Sequence, residues 1–215
     1  MLYLIGLGLR PDDISHRALG IIRTCVAVYV ETYTSVLPLS IPELERLLGV
    51  QVKIADRALV EIRSDELLTQ ARTGNVVLLI VGDPLSATTH TDLLLRARAA
   101  GVQTEVIHNA TVLNAVARTG LQLYKFGKTA SIAFSEEGYT PETHCDTLRE
   151  NQRIDAHTLF LLDLRPTENR YMTIKDAIQS LLTSSTKHDA KFDVNTFCIG
   201  CARLGWDDEQ IIAGT

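Results

Sequence analysis

The stretch Asn75-Val76-Val77-Leu78-Leu79-Ile80-Val81-Gly82-Asp83-Pro84-Leu85-Ser86-Ala87-Thr88-Thr89-His90 decides the fold. Val76 to Val81 is a continuous apolar run rich in β-branched residues, the pattern of a strand buried on both faces of a parallel sheet. Gly82-Asp83-Pro84 stops it with a turn. Thr88, Thr89 and His90 then lead into an amphipathic helix, Thr91-Asp92-Leu93-Leu94-Leu95-Arg96-Ala97-Arg98. Ligands of open α/β sheets bind at the carboxyl ends of the strands. Asp83 and Ser86 therefore stand where a small ligand would be held. The same spacing also suits a plain strand-turn-helix connection with Asp83 as turn former.

Upstream, Leu2 to Leu9 reads as a first strand running into a glycine turn, and Asp12 or Asp13 is expected to cap a helix over Ile14 to Cys25. Val26 to Val30 is a second strand that ends at Glu31-Thr32-Tyr33-Thr34-Ser35. A short helix over Pro42 to Leu48, a strand over Val52 to Ala55 and a helix capped by Ser64 follow. Downstream, Thr104 to Ile107 is a further strand. Strands and helices thus alternate through the first half, which predicts a mostly parallel sheet with helices on its faces.

The pattern changes near His108. Asn109 to Ala117 is expected to be helical, Lys128 to Phe134 a strand, and a helix should follow Pro141. A strand over His157 to Leu164, a helix over Thr173 to Thr183 and a strand over Thr196 to Ala202 complete the reading. A domain boundary falls between about Ile107 and Lys128, drawn here as domains 1–110 and 111–215.

The 215 residues suffice for one large or two small domains, and 46% apolar with 22% charged residues is ordinary for a soluble globular chain. A formal net charge of −5 with no basic run argues against a nucleic-acid surface. No apolar stretch approaches the ~20 residues needed to span a bilayer, and Met1 to Gly8 lacks the basic leader of a signal peptide. Scattered Cys25, Cys145, Cys198 and Cys201 suit a reducing, cytoplasmic setting.

Gly6 and Gly8 after the first strand, with Glu31 after the second, give a partial dinucleotide signature that would make the protein an oxidoreductase. Pro11 occupies the place of the third glycine. Cys198-Ile199-Gly200-Cys201 has metal-pair spacing, but it lies in a strand-like run where residues three apart face opposite ways. Buried free cysteines are the expectation there, with no metal. His90 and His108 each follow a strand, where a histidine serves either as a packed or capping residue or as a base that touches ligand.

Several runs together resemble the diphthine synthases, the diphthamide-pathway methyltransferases of the tetrapyrrole-methylase fold. They are Met1 to Leu9, Glu31 to Ser35, Val81-Gly82-Asp83-Pro84 with Ala87-Thr88-Thr89-His90, Ile107-His108-Asn109-Ala110, Gly120 to Gly127, His157-Thr158-Leu159, Leu161-Leu162-Asp163 and Arg170-Tyr171-Met172-Thr173. The resemblance covers nearly the whole chain. It implies two α/β domains with S-adenosylmethionine (SAM) folded into the cleft between them and S-adenosylhomocysteine as product, and a homodimer. The implied acceptor is the amino group of a 3-amino-3-carboxypropyl arm on a histidine of translation elongation factor 2, methylated successively. Archaeal relatives stop at the trimethylated amine, whereas eukaryotic ones also esterify the carboxylate.

Cofactor contacts implied at matching positions are Leu9, Asp83, Ser86, Thr111, Val112, Leu162 and Leu204, with Ser86 standing where many relatives have glycine. The chemistry asks mainly for alignment, worth about 7–11 kcal/mol. The acceptor, an alkyl amine with an unperturbed pKa of about 10.4, must be neutral, which a desolvated cleft favours. No obligatory side-chain base is expected. Relatives continue beyond the equivalent of Ile211 to Thr215 with further strands and a histidine-bearing cofactor contact, which also allows a truncated fold that binds without turnover. The short link Arg165 to Asn169 resembles that of archaeal members.

Overall fold

The computed structural model describes residues 1–36 and 39–215. The chain divides into two units, Met1–Ala115 and Val116–Thr215.

The first unit is built on five parallel strands, β1 (Leu2–Gly6), β2 (Ala27–Glu31), β3 (Lys53–Ala55), β4 (Val76–Ile80) and β5 (Thr104–Ile107), in the spatial order β3-β2-β4-β1-β5. All five residues of β4 are fully buried, as the unbroken apolar run requires. Alternate residues feed opposite faces. Val76, Leu78 and Ile80 pack with α3 (Ser64–Thr73) and α4 (Thr91–Ala99) through Leu67, Leu68, Leu93 and Ala97. Val77 and Leu79 pack with α1 (His16–Ile22) and α2 (Ile41–Leu48) through Ala18, Ile22, Leu44 and Leu48.

Helix starts follow local capping chemistry. Ser15 Oγ accepts from the Ala18 N–H to open α1, and Ser40 with Glu43 forms a capping box on α2. Neither expected aspartate caps α1. Asp13 Oδ2 instead accepts from the N–H groups of Leu9 and Arg10, each at 2.9 Å, and so holds the glycine turn behind it. Ser64 likewise lies inside α3, whose cap is Arg63.

After β5 the predicted long helix shrinks to α5 (Val112–Ala115) and a 3-10 turn over Val116–Thr119. The cause is local. Asn109 Nδ2 donates to the Gly6 and Asp13 carbonyls, and the Asn114 side chain takes the Thr111 N–H at 2.9 Å. The chain before Thr111 is therefore held out of helical geometry.

The second unit uses short strands. β6 (Ala130–Ile132) pairs parallel with β7 (Phe160–Leu162). β8 (Leu164–Arg165) pairs antiparallel with β9 (Arg170–Tyr171), and β10 (Cys198–Ala202) with β11 (Gln210–Gly214). Its core gathers Ile132, Cys145, Leu148, Ala177, Leu181 and Ala190, with α6 (Thr143–Arg153) and α7 (Ile174–Ser184) supplying most of them. Buried Asn151 joins the start of this unit to α6: its amide donates to the Lys128 carbonyl and Thr158 Oγ1, and its oxygen accepts from the Lys128 N–H.

Candidate functional site

The strand order places a switch point between β4 and β1. From β1 the chain leaves through α1 on one face of the sheet, and from β4 through α4 on the other. Loops that part to opposite faces leave a crevice at the carboxyl edge, where open sheets bind ligands. Two glycines pin that crevice. Gly8 and Gly82 exchange backbone hydrogen bonds of 3.1 and 2.8 Å, both at positive φ. A Cβ on Gly8 would lie 2.3 Å from Asp13 Cβ, so only glycine closes this bridge.

Asp83, 5% exposed, stands directly after the bridge and ties two loops together. Its Oδ1 accepts from the Leu85 N–H at 2.9 Å and Ser86 Oγ at 3.2 Å. Its Oδ2 contacts His108 Nδ1 at 2.8 Å and accepts from the Asn109 N–H at 3.1 Å. Burial alone would raise its pKa, but the hydrogen bonds from Leu85, His108 and Asn109 outweigh it and hold the carboxyl below its ordinary range. Asp83 is thus the ionised brace between the loops after β4 and β5.

Leu9, Asp83, Ser86, Thr111 and Val112 all lie on this one edge. Leu9 follows the Gly8 bridge, Ser86 hangs from Asp83, and Thr111 lies where Asn109 delivers the chain. Leu162 ends β7 and Leu204 follows β10, in different small sheets of the second unit. Asn109, whose side chain locks this edge to Gly6 and Asp13, lies in one of the resembling runs but is not among the implied site residues; the signal for it is its place directly after a strand-end histidine.

The dinucleotide reading fails on three counts. β1 neighbours β4 and β5, not β2, so Glu31 is a strand away from the first glycine turn. Glu31 is fully buried and accepts from the N–H groups of Tyr33 and Thr34 in its own loop. Gly6 serves packing: a Cβ there would meet the Gly82 carbonyl at 2.5 Å.

The two histidines differ. His108 is two-thirds exposed, with a side-chain accessibility of 66%, and faces Asp83. His90 is fully buried, its ring 6.3 Å from that of Tyr33. Neither His90 nitrogen nor the Tyr33 hydroxyl closes a hydrogen bond among the described residues, although the Pro84 carbonyl and Thr89 hydroxyl act on them. Burial keeps His90 neutral, and burial together with Glu31 and Glu61 pushes the Tyr33 hydroxyl up. Cys198 and Cys201 are unpaired thiols in β10, each raised in pKa by burial.

The profile of the Tetrapyrrole (Corrin/Porphyrin) Methylases matches residues 1–215. The chain belongs to the tetrapyrrole methylase family. As a member it is a methyltransferase, and the α/β fold with its parallel sheet is that of the family. Diphthine methyl ester synthase 2 of Candida albicans is 43% identical over 233 residues, covering 100% of this chain and 78% of its own. The Homo sapiens diphthine methyl ester synthase is 42% identical over 236 residues, covering 100% and 83%. A crystal structure of an Entamoeba histolytica protein assigned as a diphthine synthase superposes with a TM-score of 0.90 at 38% identity, covering 100% of this chain and 84% of that one. The curated alignments are longer than this 215-residue chain, so those tetrapyrrole methylases carry inserted residues relative to it. Among the described residues no helix is long and apolar enough to cross a membrane.

Proposed function

We propose that this methyltransferase acts in diphthamide biosynthesis as a diphthine methyl ester synthase, with SAM as methyl donor and elongation factor 2 as protein substrate. The observation that carries the reading is full-length similarity, 42–43% identical over 100% of this chain, to relatives of that name. The acceptor is the 3-amino-3-carboxypropyl arm on a histidine. Its amine is methylated successively, and its carboxylate receives the last methyl, the ester that the relatives' name specifies.

The switch-point edge fits the donor's chemistry. Gly8, Gly82 and Ser86 let a ligand approach the backbone closely, Leu9 and Val112 offer apolar surface, and Thr111 offers a hydroxyl. Leu162 and Leu204 are further proposed cofactor contacts. Asp83, whose oxygens are engaged within the fold, acts through Ser86 and the Asn109–Thr111 backbone that it holds. Bound there, SAM supplies a methyl group already activated by its sulfonium. The protein's remaining work is to hold the acceptor in line and dry, so that the amine is neutral when it attacks. The working form is a cytoplasmic homodimer.

Mass spectrometry of elongation factor 2 carrying the unmethylated arm, after incubation with the protein and SAM, tests this. Successive methyl additions ending in a base-labile ester are expected. No addition under conditions where SAM binds would overturn the reading.

A further inference from the structure

Phe134, at the turn after β6, carries two cations. The guanidinium carbon of Arg165 lies 5.6 Å from its ring centroid and that of Arg170 lies 3.8 Å from it. The two arginines are direct cross-strand partners in the β8–β9 pair, where like charges repel. Arg165 is compensated: Glu136 pairs with it, and Glu168 Oε1 lies 3.7 Å from its Nη1. Arg170 pairs with no carboxylate among the described residues. Asp176 feels its charge but is engaged by Thr173, whose N–H and hydroxyl donate to Asp176 Oδ2 at 3.1 and 2.7 Å. Arg170 is also solvent-exposed.

The mount beneath it is stiff. Asp163 receives the Phe134 N–H on Oδ2 at 2.9 Å and the Met172 N–H on its carbonyl at 2.9 Å, and donates its own N–H to Ile132 at 3.0 Å. One residue thereby ties β6, the Phe134 turn and the end of the β8–β9 hairpin. Asn169, left-handed at φ 49°, sets the turn that presents Arg170. Asp163 directly follows Leu162, one of the proposed cofactor contacts.

An aromatic face under one side of a guanidinium leaves its planar N–H fork free for an oxyanion taken bidentately, a carboxylate or a phosphate, and of these the acceptor arm carries a carboxylate. Resting on the proposed function, we infer that Arg170, stacked on Phe134, is a substrate-binding residue that grips the carboxylate of the acceptor arm. The grip orients the arm while its amine is methylated, and it is released once the carboxylate is esterified and loses its charge. Arg170 in this way distinguishes substrate from finished product.

The test compares binding of two elongation factor 2 forms, trimethylated arm with free carboxylate and the same arm as methyl ester, to wild type, Arg170→Gln and Arg170→Lys. Wild type should prefer the free carboxylate by about 10- to 100-fold, the size of a charge-assisted contact. Arg170→Gln should lose that preference while keeping SAM affinity and melting temperature, and Arg170→Lys should regain part of it. Equal weakening for both forms would make Arg170 a general docking contact and overturn the inference, as would an unchanged preference. If Arg170→Gln does not fold, Arg170→Lys decides by its reduced preference. A wild type that binds neither form overturns the proposed function, and the inference falls with it.

Discussion

The two units solve the same problem of holding loops in place by different means. In the first, a five-stranded sheet is sandwiched between helices, and its central strand is fully buried along its length. In the second, strands of two to five residues pair only two by two, and most of their residues are half-buried. Polar residues do there what apolar area does in the first unit: buried Asn151 bonds to Lys128 and Thr158, and half-buried Asp163 ties three segments. A platform made of apolar area tolerates shifts in pH, whereas one made of polar clusters responds to them.

The largest effect should come from cutting into the sheet. Leu79→Ala removes a fully buried side chain from β4, next to the Asp83 turn. A loss of about 2–5 kcal/mol is expected in denaturant unfolding. A loss below about 1 kcal/mol would show that the first unit does not rest on this core.

Asp83→Ala comes next. It strands the Leu85 and Asn109 N–H groups and unties His108 and Ser86. About 2–4 kcal/mol of stability should go, together with SAM affinity measured by calorimetry. Unchanged affinity would free Asp83 of any part in cofactor binding. Because its pKa is depressed in the fold, its contribution is present above the unfolded carboxyl pKa of about 3.9 and is lost as pH falls through the folded value.

The smallest effects sharpen the contrast in pH response. In the second unit His188 contacts Glu142 at 3.0 Å and Asp146 at 3.2 Å, with Lys187 also on Glu142. Those hydrogen bonds raise its pKa, so its stabilisation is complete below about 6.5 and fades as pH rises through the folded value. Beside it, His144 is buried edge-on to Phe160 with neither nitrogen hydrogen-bonded among the described residues. Burial lowers its pKa, as does His188, so it destabilises the fold as pH drops below about 6.5. Melting curves between pH 5 and 8 should show His188→Gln losing stability mainly at the acid end, and His144→Phe gaining there. Parallel curves for wild type and both variants would deny the second unit its polar bookkeeping.

What was legible follows the same division. The continuous run Val76–Val81 announced a strand buried on both faces, and strands β1 to β5 were readable because each combines apolar residues with a turn signal. The resemblance in Gly82-Asp83-Pro84, His108-Asn109-Ala110 and Arg170-Tyr171-Met172 led to a family that the full-length profile match bears out. The hairpin β8–β9 and strand β11 were not legible, since two half-exposed residues or an end segment carry no period. The helix over Asn109 to Ala117 was overread, because the side chains of Asn109 and Asn114 compete with it for backbone groups.

The sequence by itself determined the alternation of strands and helices, because periodicity and turn chemistry are local, and the family, because its motif runs resemble those of the diphthine synthases. Only the tertiary structure decided the strand order β3-β2-β4-β1-β5 and the switch point it creates. It also turned Asp83 into a brace with His108 and Asn109, and left Arg170 stacked on Phe134 with no carboxylate partner among the described residues. Those outcomes depend on contacts between residues far apart in the chain, which no local pattern encodes.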